Sequence, residues 1–197
     1  MFLTEHFRAI VRGADQMDRR QRKTRTAIFN AFTYLLKTEN YSKITVQQII
    51  DIADIGRTTF YSHFETKDDL LKYMSQEIFD HVFSEDLNKE KTHDFSQNHG
   101  TRDRIRHILY HLQEHMDYLP GILSGDGGDI FMESFKKYLI DLFTPSVRSA
   151  DKSAPDDYIL NHMICDFSET IRWWSRNPKY TPDEICSFFL ENTPIPE

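Results

Sequence analysis

A run of hydrogen-bonding side chains at helical spacing occurs in residues 57–64, which read RTTFYSHF. If this run is helical, the guanidinium and hydroxyl groups of Arg57, Thr58 and Thr59 face outward. Phe60 and Phe64 are four residues apart and form an apolar face. Such a helix can pack on a core through its rings and offer its polar groups to base edges in the major groove of DNA. The segment therefore predicts a surface that reads nucleic acid.

The residues around this run predict the helices that hold it in place. Thr45 and Gln48 form a capping box that starts one helix, and Thr66 and Asp69 start another in the same way. Between the first of these helices and the run lies Asp54-Ile55-Gly56, which predicts a tight turn. Asp tolerates left-handed backbone angles better than most residues, and Gly can cap the helix that follows. The sequence thus predicts two short helices joined by a turn.

The rest of the chain carries helical periodicity and no alternating strand pattern, so the predicted fold class is all-α. An apolar face of Ile28, Phe32, Leu35 and Leu36 predicts a helix ahead of the turn. Breaks rich in Pro, Gly or polar residues separate the later helices. The predicted helices cover residues 19–38, 67–87, 101–118, 129–143, 156–176 and 181–191, with loops at 88–100, 120–128 and 145–155.

Charge is distributed unevenly along the chain, whose net charge is -7. Residues 19–72 hold 10 Lys and Arg against 6 Asp and Glu, whereas residues 73–197 hold 12 against 22. The basic part coincides with the predicted DNA-reading segment. It opens with Arg19, Arg20, Arg22, Lys23 and Arg25, which predict an arm that contacts phosphates; a solvated helix end is the alternative.

Other features limit the location and chemistry of the protein. No apolar run reaches the ~18 residues of a membrane span, and residues 1–17 do not form a secretory signal. Cys165 and Cys186 have no disulfide or metal-ligand pattern, which favours free thiols in a cytoplasmic protein. There is no Gly-rich phosphate loop or nucleophile motif, so neither an enzyme nor a cofactor is predicted.

Residues 44–71 resemble the helix-turn-helix signature of the tetracycline-repressor (TetR) family. Ile50, Asp54, Gly56 and Thr58 depart from the usual residues of that signature, which leaves the operator sequence open. Residues 171–189, IRWWSRNPKYTPDEICSFF, resemble the end of a Trp-rich C-terminal subtype of the family. The matching positions are Thr45, Ile49, Ala53, Ile55, Thr59, Phe60, Tyr61, His63, Phe64, Lys67 and Leu70.

The resemblance implies a domain organisation and a set of residue roles. It implies an N-terminal extension at 1–18, a three-helix DNA-binding head at 19–72, and a helical ligand-binding and dimerisation domain at 73–197. Thr45 would bond a phosphate, and Gln47 would contact the groove edge. Base edges would meet Arg57, Thr58 and Thr59, whereas Tyr61, His63 and Lys67 would grip phosphates.

The resemblance also implies partners. A homodimer through the last two helices would place two heads on a palindromic operator of double-stranded DNA. Trp173 and Trp174 diverge by about 100° on a helix, so one can face the core and the other a dimer seam. The implied function is a repressor released by a small-molecule effector. The alternative is a co-activator or interaction protein that works through a protein partner.

Two further patterns leave their alternatives open. His107, His111 and His115 share one helix face, which could chelate zinc or sense pH, but we favour a polar helix face with no metal site. Aromatic residues at helical spacing could line an effector cavity, although such residues are more often core. They are Tyr110, Phe131, Phe135 and Phe167.

Overall fold

The computed structural model describes residues 19–84, 100–149 and 154–193. Within these ranges all regular structure is helical, which confirms the all-α prediction. A single 3-10 turn, Tyr41–Lys43, follows the first helix. The helices are α1 (Arg19–Thr38), α2 (Val46–Ala53), α3 (Arg57–Tyr61), α4 (Lys67–Ser84), α5 (Thr101–Gln113), α6 (Leu119–Leu123), α7 (Asp126–Ser149), α8 (Asp156–Ser175) and α9 (Pro182–Asn192).

The first of two compact units comprises, among the described residues, 19–78 and 118–131. Its centre is the apolar face of α1, which contacts α2 and α6. The approach of α6 is close, since a Cβ added at Gly121 would lie 2.0 Å from the backbone oxygen of Leu36. Only a residue without a side chain fits there.

The second unit comprises the described residues within 79–117 and 132–193. Its core is built from aromatic rings, among them Phe135, Phe143 and Phe189, which surround the fully buried Phe167 at centroid distances of 4.9–6.0 Å. Helix α9 packs on α5 and α8. Thr181 and Glu184 form a capping box, which fixes the start of α9.

Several predicted helix boundaries were wrong, among them the end of α5, which lies at Gln113 rather than at residue 118. Residues 120–128 were predicted to be a break, but Pro120 sits at the start of α6, where its missing N–H is tolerated. Pro145 was predicted to begin a loop, but it lies inside α7 on an exposed face, where water can solvate the freed carbonyl. Helix α3 ends at Tyr61 rather than at residue 64.

Some predictions fall outside what the structure tests. The extension at 1–18 and residues 88–99 of the predicted loop lie outside the described residues. The domain boundary at residue 72 stays a prediction. None of the described helices combines the length and apolar character needed to cross a membrane.

Candidate nucleic-acid interface

The turn between α2 and α3 has the geometry that its sequence predicts. Thr45 and Gln48 form the reciprocal capping box: the Thr45 hydroxyl accepts from the Gln48 N–H, and the Thr45 N–H donates to Gln48 Oε1 at 2.8 Å. Asp54 ends α2 in the left-handed conformation, with φ 52° and ψ 51°. Gly56 is the N-cap of α3. These local features confirm the predicted helix-turn-helix.

Helix α3 and the three residues that follow it have a buried side and an exposed side. Phe60 and Phe64 are 0% and 5% exposed, which confirms them as core residues. The ring of Phe64 lies 6.1 Å from that of Phe29 on α1, so the apolar side is held against the first helix. Arg57 and Thr58 are exposed, and Thr59 is partly buried. Burial of the rings therefore leaves the polar edge of α3 in solvent.

Two of the predicted site residues are hydrogen-bonded to each other across the turn. Arg57 Nη2 donates to Gln47 Oε1 at 2.9 Å, and Gln47 Nε2 donates to Asp51 Oδ1 at 2.8 Å. All three side chains are exposed. This bonded series joins α2 to α3, and sequence reasoning missed Asp51. The available signal was its position four residues after Gln47, on the same helix face.

A polar groove of about 380 Å³ opens between the N-terminal part of α1 and the C-terminal end of α3. Its donors are two guanidinium groups, an imidazole and several hydroxyls, which together suit an anion. Sequence reasoning assigned Arg20 and Arg25 to a basic arm but missed Ser62. The residues that line this groove are Arg20, Gln21, Thr24, Arg25, Thr59, Ser62 and His63.

His63 is partly buried in this groove, and its environment makes protonation harder. Burial lowers the pKa of His63 below its usual value, and the charge of Arg25 lowers it further. Arg25 is itself fixed, because its guanidinium lies 4.4 Å from the Tyr73 ring centre and Nη1 donates to the Tyr73 hydroxyl. Burial, with a hydrogen bond to Glu77, raises the pKa of Tyr73 to about 12.

Lys67 makes inward contacts that sequence reasoning missed. Its Nζ donates to the carbonyl oxygens of Tyr41 at 2.9 Å and Ile44 at 2.8 Å, and lies 4.3 Å from the Tyr41 ring centre. Burial lowers the pKa of Lys67. The Tyr41 hydroxyl donates to Asp68, which closes the network. No local pattern could reveal these contacts, because they join residues 23 or more apart in the chain.

The paired tryptophans diverge as predicted. Trp174 is 1% exposed and donates from Nε1 to the Tyr180 carbonyl at 2.8 Å, whereas Trp173 is 45% exposed. Trp173 stacks on the Tyr180 ring at 5.4 Å, and the ring of Phe188 on α9 makes an edge-type contact with Tyr180 at 5.4 Å. A groove of about 510 Å³ runs beside Trp173 and Phe188. The second unit thus exposes an aromatic surface on its last two helices.

The histidine triplet corrects a prediction. His107, His111 and His115 are buried at 3%, 6% and 3% exposure, so the favoured polar helix face was wrong. The rings of His107 and His111 are 4.5 Å apart, and His81 of α4 lies 5.5 Å from His111. Helix α5 also buries Ile105, so it is enclosed on more than one side. Across the described residues, no three potential ligands are placed to hold a metal ion.

The aromatic residues considered for an effector cavity belong mostly to the core. Phe131, Phe135 and Phe167 are at most 1% exposed. Tyr110 is partly exposed and donates to Asp183 at 2.8 Å, beside the contact of Arg106 with the same carboxylate. These contacts tie α5 to the first turn of α9. No effector site is assigned.

Comparison with known proteins identifies the same region. The family model described as "Bacterial regulatory proteins, tetR family" matches residues 28–74. The uncharacterized HTH-type transcriptional regulator YxbF of Bacillus subtilis is 40% identical over 72 residues, 34% of this chain and 19% of YxbF. The HTH-type dhaKLM operon transcriptional activator DhaS of Lactococcus lactis is 32% identical over 99 residues, 50% of this chain and 48% of DhaS. The chain thus matches about a fifth of one relative and half of the other.

A solved structure extends the match beyond the head. The TetR transcriptional regulator from Streptococcus agalactiae aligns with a TM-score of 0.69 at 32% identity, over 88% of this chain and 95% of that one. The matched proteins are regulators, which confirms that the chain is not an enzyme. Because sequence and fold agree over nearly the whole length of a family member, the chain belongs to the TetR family of bacterial regulatory proteins.

Proposed function

We propose that this protein is a homodimeric transcriptional regulator that binds a palindromic DNA operator through α2 and α3. The single observation that carries the proposal is that α3 and the residues just after it have one buried and one exposed side. Phe60 and Phe64 are held in the core while Arg57, Thr58 and Tyr61 remain exposed. A DNA-reading helix needs this arrangement, since base edges must contact donors and methyl groups that remain exposed at the protein surface. A regulator of this kind works in the cytoplasm.

The base-reading groups lie at the start of α3. Arg57 offers a planar fork of donors that matches the two major-groove acceptors of guanine, and Thr58 can touch a thymine methyl group. Thr59, the third predicted base contact, is partly buried and also lines the polar groove of the protein beside α3. Gln47 and Thr45 approach the DNA from α2. The Thr45 hydroxyl caps the helix, and its exposure leaves room for a phosphate oxygen.

The polar groove beside α3 accommodates a backbone phosphate. His63 and Arg20 bring donors from two elements to one concave site, and Tyr61 stands exposed on the neighbouring surface. An anion there is favoured by the guanidinium charges. Phosphate contacts fix the register of α3 without reading sequence. The basic start of α1 thus acts as the phosphate arm.

Lys67 acts by positioning the interface rather than by gripping phosphate. Two of its three donors are used by the carbonyls of Tyr41 and Ile44, immediately ahead of Thr45. Lys67 therefore fixes where α2 begins. Thr45 depends on that position to meet the DNA backbone.

The homodimer forms through α8 and α9. Trp173 and Phe188 are 45% and 41% exposed and form one aromatic surface with Tyr180. Large exposed aromatics are the residues that most often anchor protein interfaces. One short helix reads only a few base pairs, and dimerisation doubles that number.

Regulation by a small molecule that releases the protein from DNA completes the proposal. Repression is the first candidate, and the effector is unidentified. Activation is the second candidate, because the DhaS relative is described as a transcriptional activator. Transcription from a promoter that carries the selected operator, measured with and without the protein, separates the two. Less transcript with the protein supports repression, and more supports activation or co-activation.

Selection of bound fragments from random double-stranded DNA tests the central claim. We expect enrichment of a palindrome whose half-sites lie a whole number of helical turns apart, with one dimer bound per site. Enrichment of no sequence would remove DNA recognition from the proposal. Recovery of a stoichiometric protein partner from the native host, without enriched DNA, would favour the interaction-protein alternative.

The Arg57→Ala variant tests the assigned reader. We expect it to weaken operator binding by about 1–3 kcal/mol and to relax the preference for guanine at one position of each half-site. Arg57→Lys keeps the charge but loses the planar pair of guanidinium donors, so it should also lose the preference for guanine. Lys137→Ala, which removes an exposed charge from α7, is the control and should bind normally. Full-strength binding by Arg57→Ala at every sequence contradicts the role.

A further inference from the structure

Asp51 is connected to the proposed base-reading residue Arg57 through hydrogen bonds of Gln47. Its carboxylate accepts from Gln47 Nε2 at 2.8 Å, and Gln47 Oε1 accepts from Arg57 Nη2 at 2.9 Å. Gln47 thus gives its donor to an anion and its acceptor to a cation. Because its two partners are chemically opposite, only one orientation of the Gln47 amide satisfies both.

The contact restricts Arg57 before DNA arrives. A free Arg side chain occupies many rotamers and loses that freedom when it binds a base. The bond to Gln47 spans the turn between α2 and α3 and limits the guanidinium to one region of the surface. It uses one of five N–H groups, so four remain, which is enough for the two acceptors of guanine.

The carboxylate also acts on DNA as a charge. Asp51 is exposed on the same surface as Arg57, where a negative charge repels every backbone alike. The charge of Asp51 therefore weakens binding to unrelated DNA. At a matching site Asp51 also orients Arg57, which strengthens binding.

We propose that Asp51 is a specificity-determining residue that positions Arg57 through Gln47 and discourages binding to unrelated DNA. This inference rests on the proposed function and deepens it. It assigns discrimination between sites to a residue that has no need to touch a base.

The test compares operator affinity with affinity for an unrelated duplex of the same length, over a range of salt concentrations. For Asp51→Ala, which removes both the charge and the oxygen that accepts from Gln47 Nε2, we expect two- to fivefold tighter binding to unrelated DNA and equal or weaker binding to the operator. The ratio of the two affinities should therefore fall by at least two- to fivefold. Repeated selection with the variant should return a weaker guanine preference at the position read by Arg57. A ratio equal to that of the wild type overturns the inference.

Asp54→Asn is the matched control. It removes one negative charge from the adjoining turn, and Asn tolerates the left-handed conformation found there. It should tighten operator and unrelated DNA alike and leave their ratio unchanged. An equal loss of ratio in both variants overturns the inference, because charge alone would then explain it.

A double-mutant comparison separates positioning from general damage. Gln47→Ala interrupts the hydrogen bonds between Asp51 and Arg57 at their centre, so it should weaken the same base preference as Asp51→Ala. In an Arg57→Ala background, Asp51→Ala should reduce selectivity no further. A further reduction in that background counts against action through Arg57. A wild-type protein that selects no sequence overturns the proposed function and this inference together. A selective wild type with an equally selective Asp51→Ala overturns this inference alone.

Discussion

Replacement of Lys67 by Met separates two roles that a lysine beside DNA can have. Met keeps the length of the aliphatic stem but removes the ammonium that donates to Tyr41 and Ile44. A charged hydrogen bond contributes about 1.5–3 kcal/mol when well buried, and Lys67 is only partly buried, so about 1 kcal/mol each is reasonable. The contact with the Tyr41 ring adds about 0.5–1 kcal/mol. The expected destabilisation is therefore about 2–3 kcal/mol.

Thermal and chemical denaturation measure this effect. For a chain of this length, a loss of about 2–3 kcal/mol lowers Tm by roughly 4–12 °C. Lys72→Met is the matched control on the same helix, because Lys72 is exposed. Its effect should stay within about 0.5 kcal/mol.

The salt dependence of DNA binding then decides the role. Each cation that neutralises a phosphate contributes about 0.9 to the slope of log affinity against log salt concentration. If Lys67 positions the start of α2, the variant should bind more weakly with an unchanged slope. Unchanged stability together with a slope lower by about one would refute the positioning argument and restore Lys67 as a phosphate contact.

Three further substitutions test other parts of the structure. Gly121→Ala should lower the free energy of unfolding by about 1–3 kcal/mol, because its Cβ would lie 2.0 Å from a backbone oxygen of α1. In the control, Gly56→Ala, the Cβ makes only an ordinary contact at 3.8 Å, so the loss should be under about 1 kcal/mol. Equal losses in the two variants would contradict the packing of α6 on α1. Because the pKa of His63 is lowered in the folded protein, the neutral ring is compatible with folding above the unfolded pKa of about 6.5, and stability is lost as the pH falls below that value and the ring must be protonated. A bound phosphate has the opposite effect, since it favours the charged ring. Operator affinity measured by fluorescence anisotropy should therefore rise about three- to tenfold more for wild type than for His63→Gln between pH 7.5 and 5.5, and parallel profiles would argue against the phosphate contact. Phe188→Asp should raise the dimer dissociation constant at least 100-fold in sedimentation equilibrium, unlike Tyr34→Ala on α1, and an intact dimer would exclude this surface.

Local spacing in the sequence determined the helix-turn-helix and its two faces. The Thr45 capping box, the left-handed Asp54 and the Gly56 cap each depend on groups within four residues, so residue type alone specifies them. The burial of Phe60 and the divergence of Trp173 from its neighbour follow from the helical period. These features define where α3 begins and which of its sides faces outward.

Contacts between distant segments were decided only by the tertiary structure. The sequence showed that His107 and His111 share a face, but burial of that face depends on which elements surround α5. The contacts of Lys67 join it to carbonyl groups, which every residue possesses, so no side-chain pattern marks them. The same holds for Arg57, whose bond to Gln47 depends on how the turn sets α3 against α2. Helical periodicity assigns residues to faces, and only packing decides what each face meets.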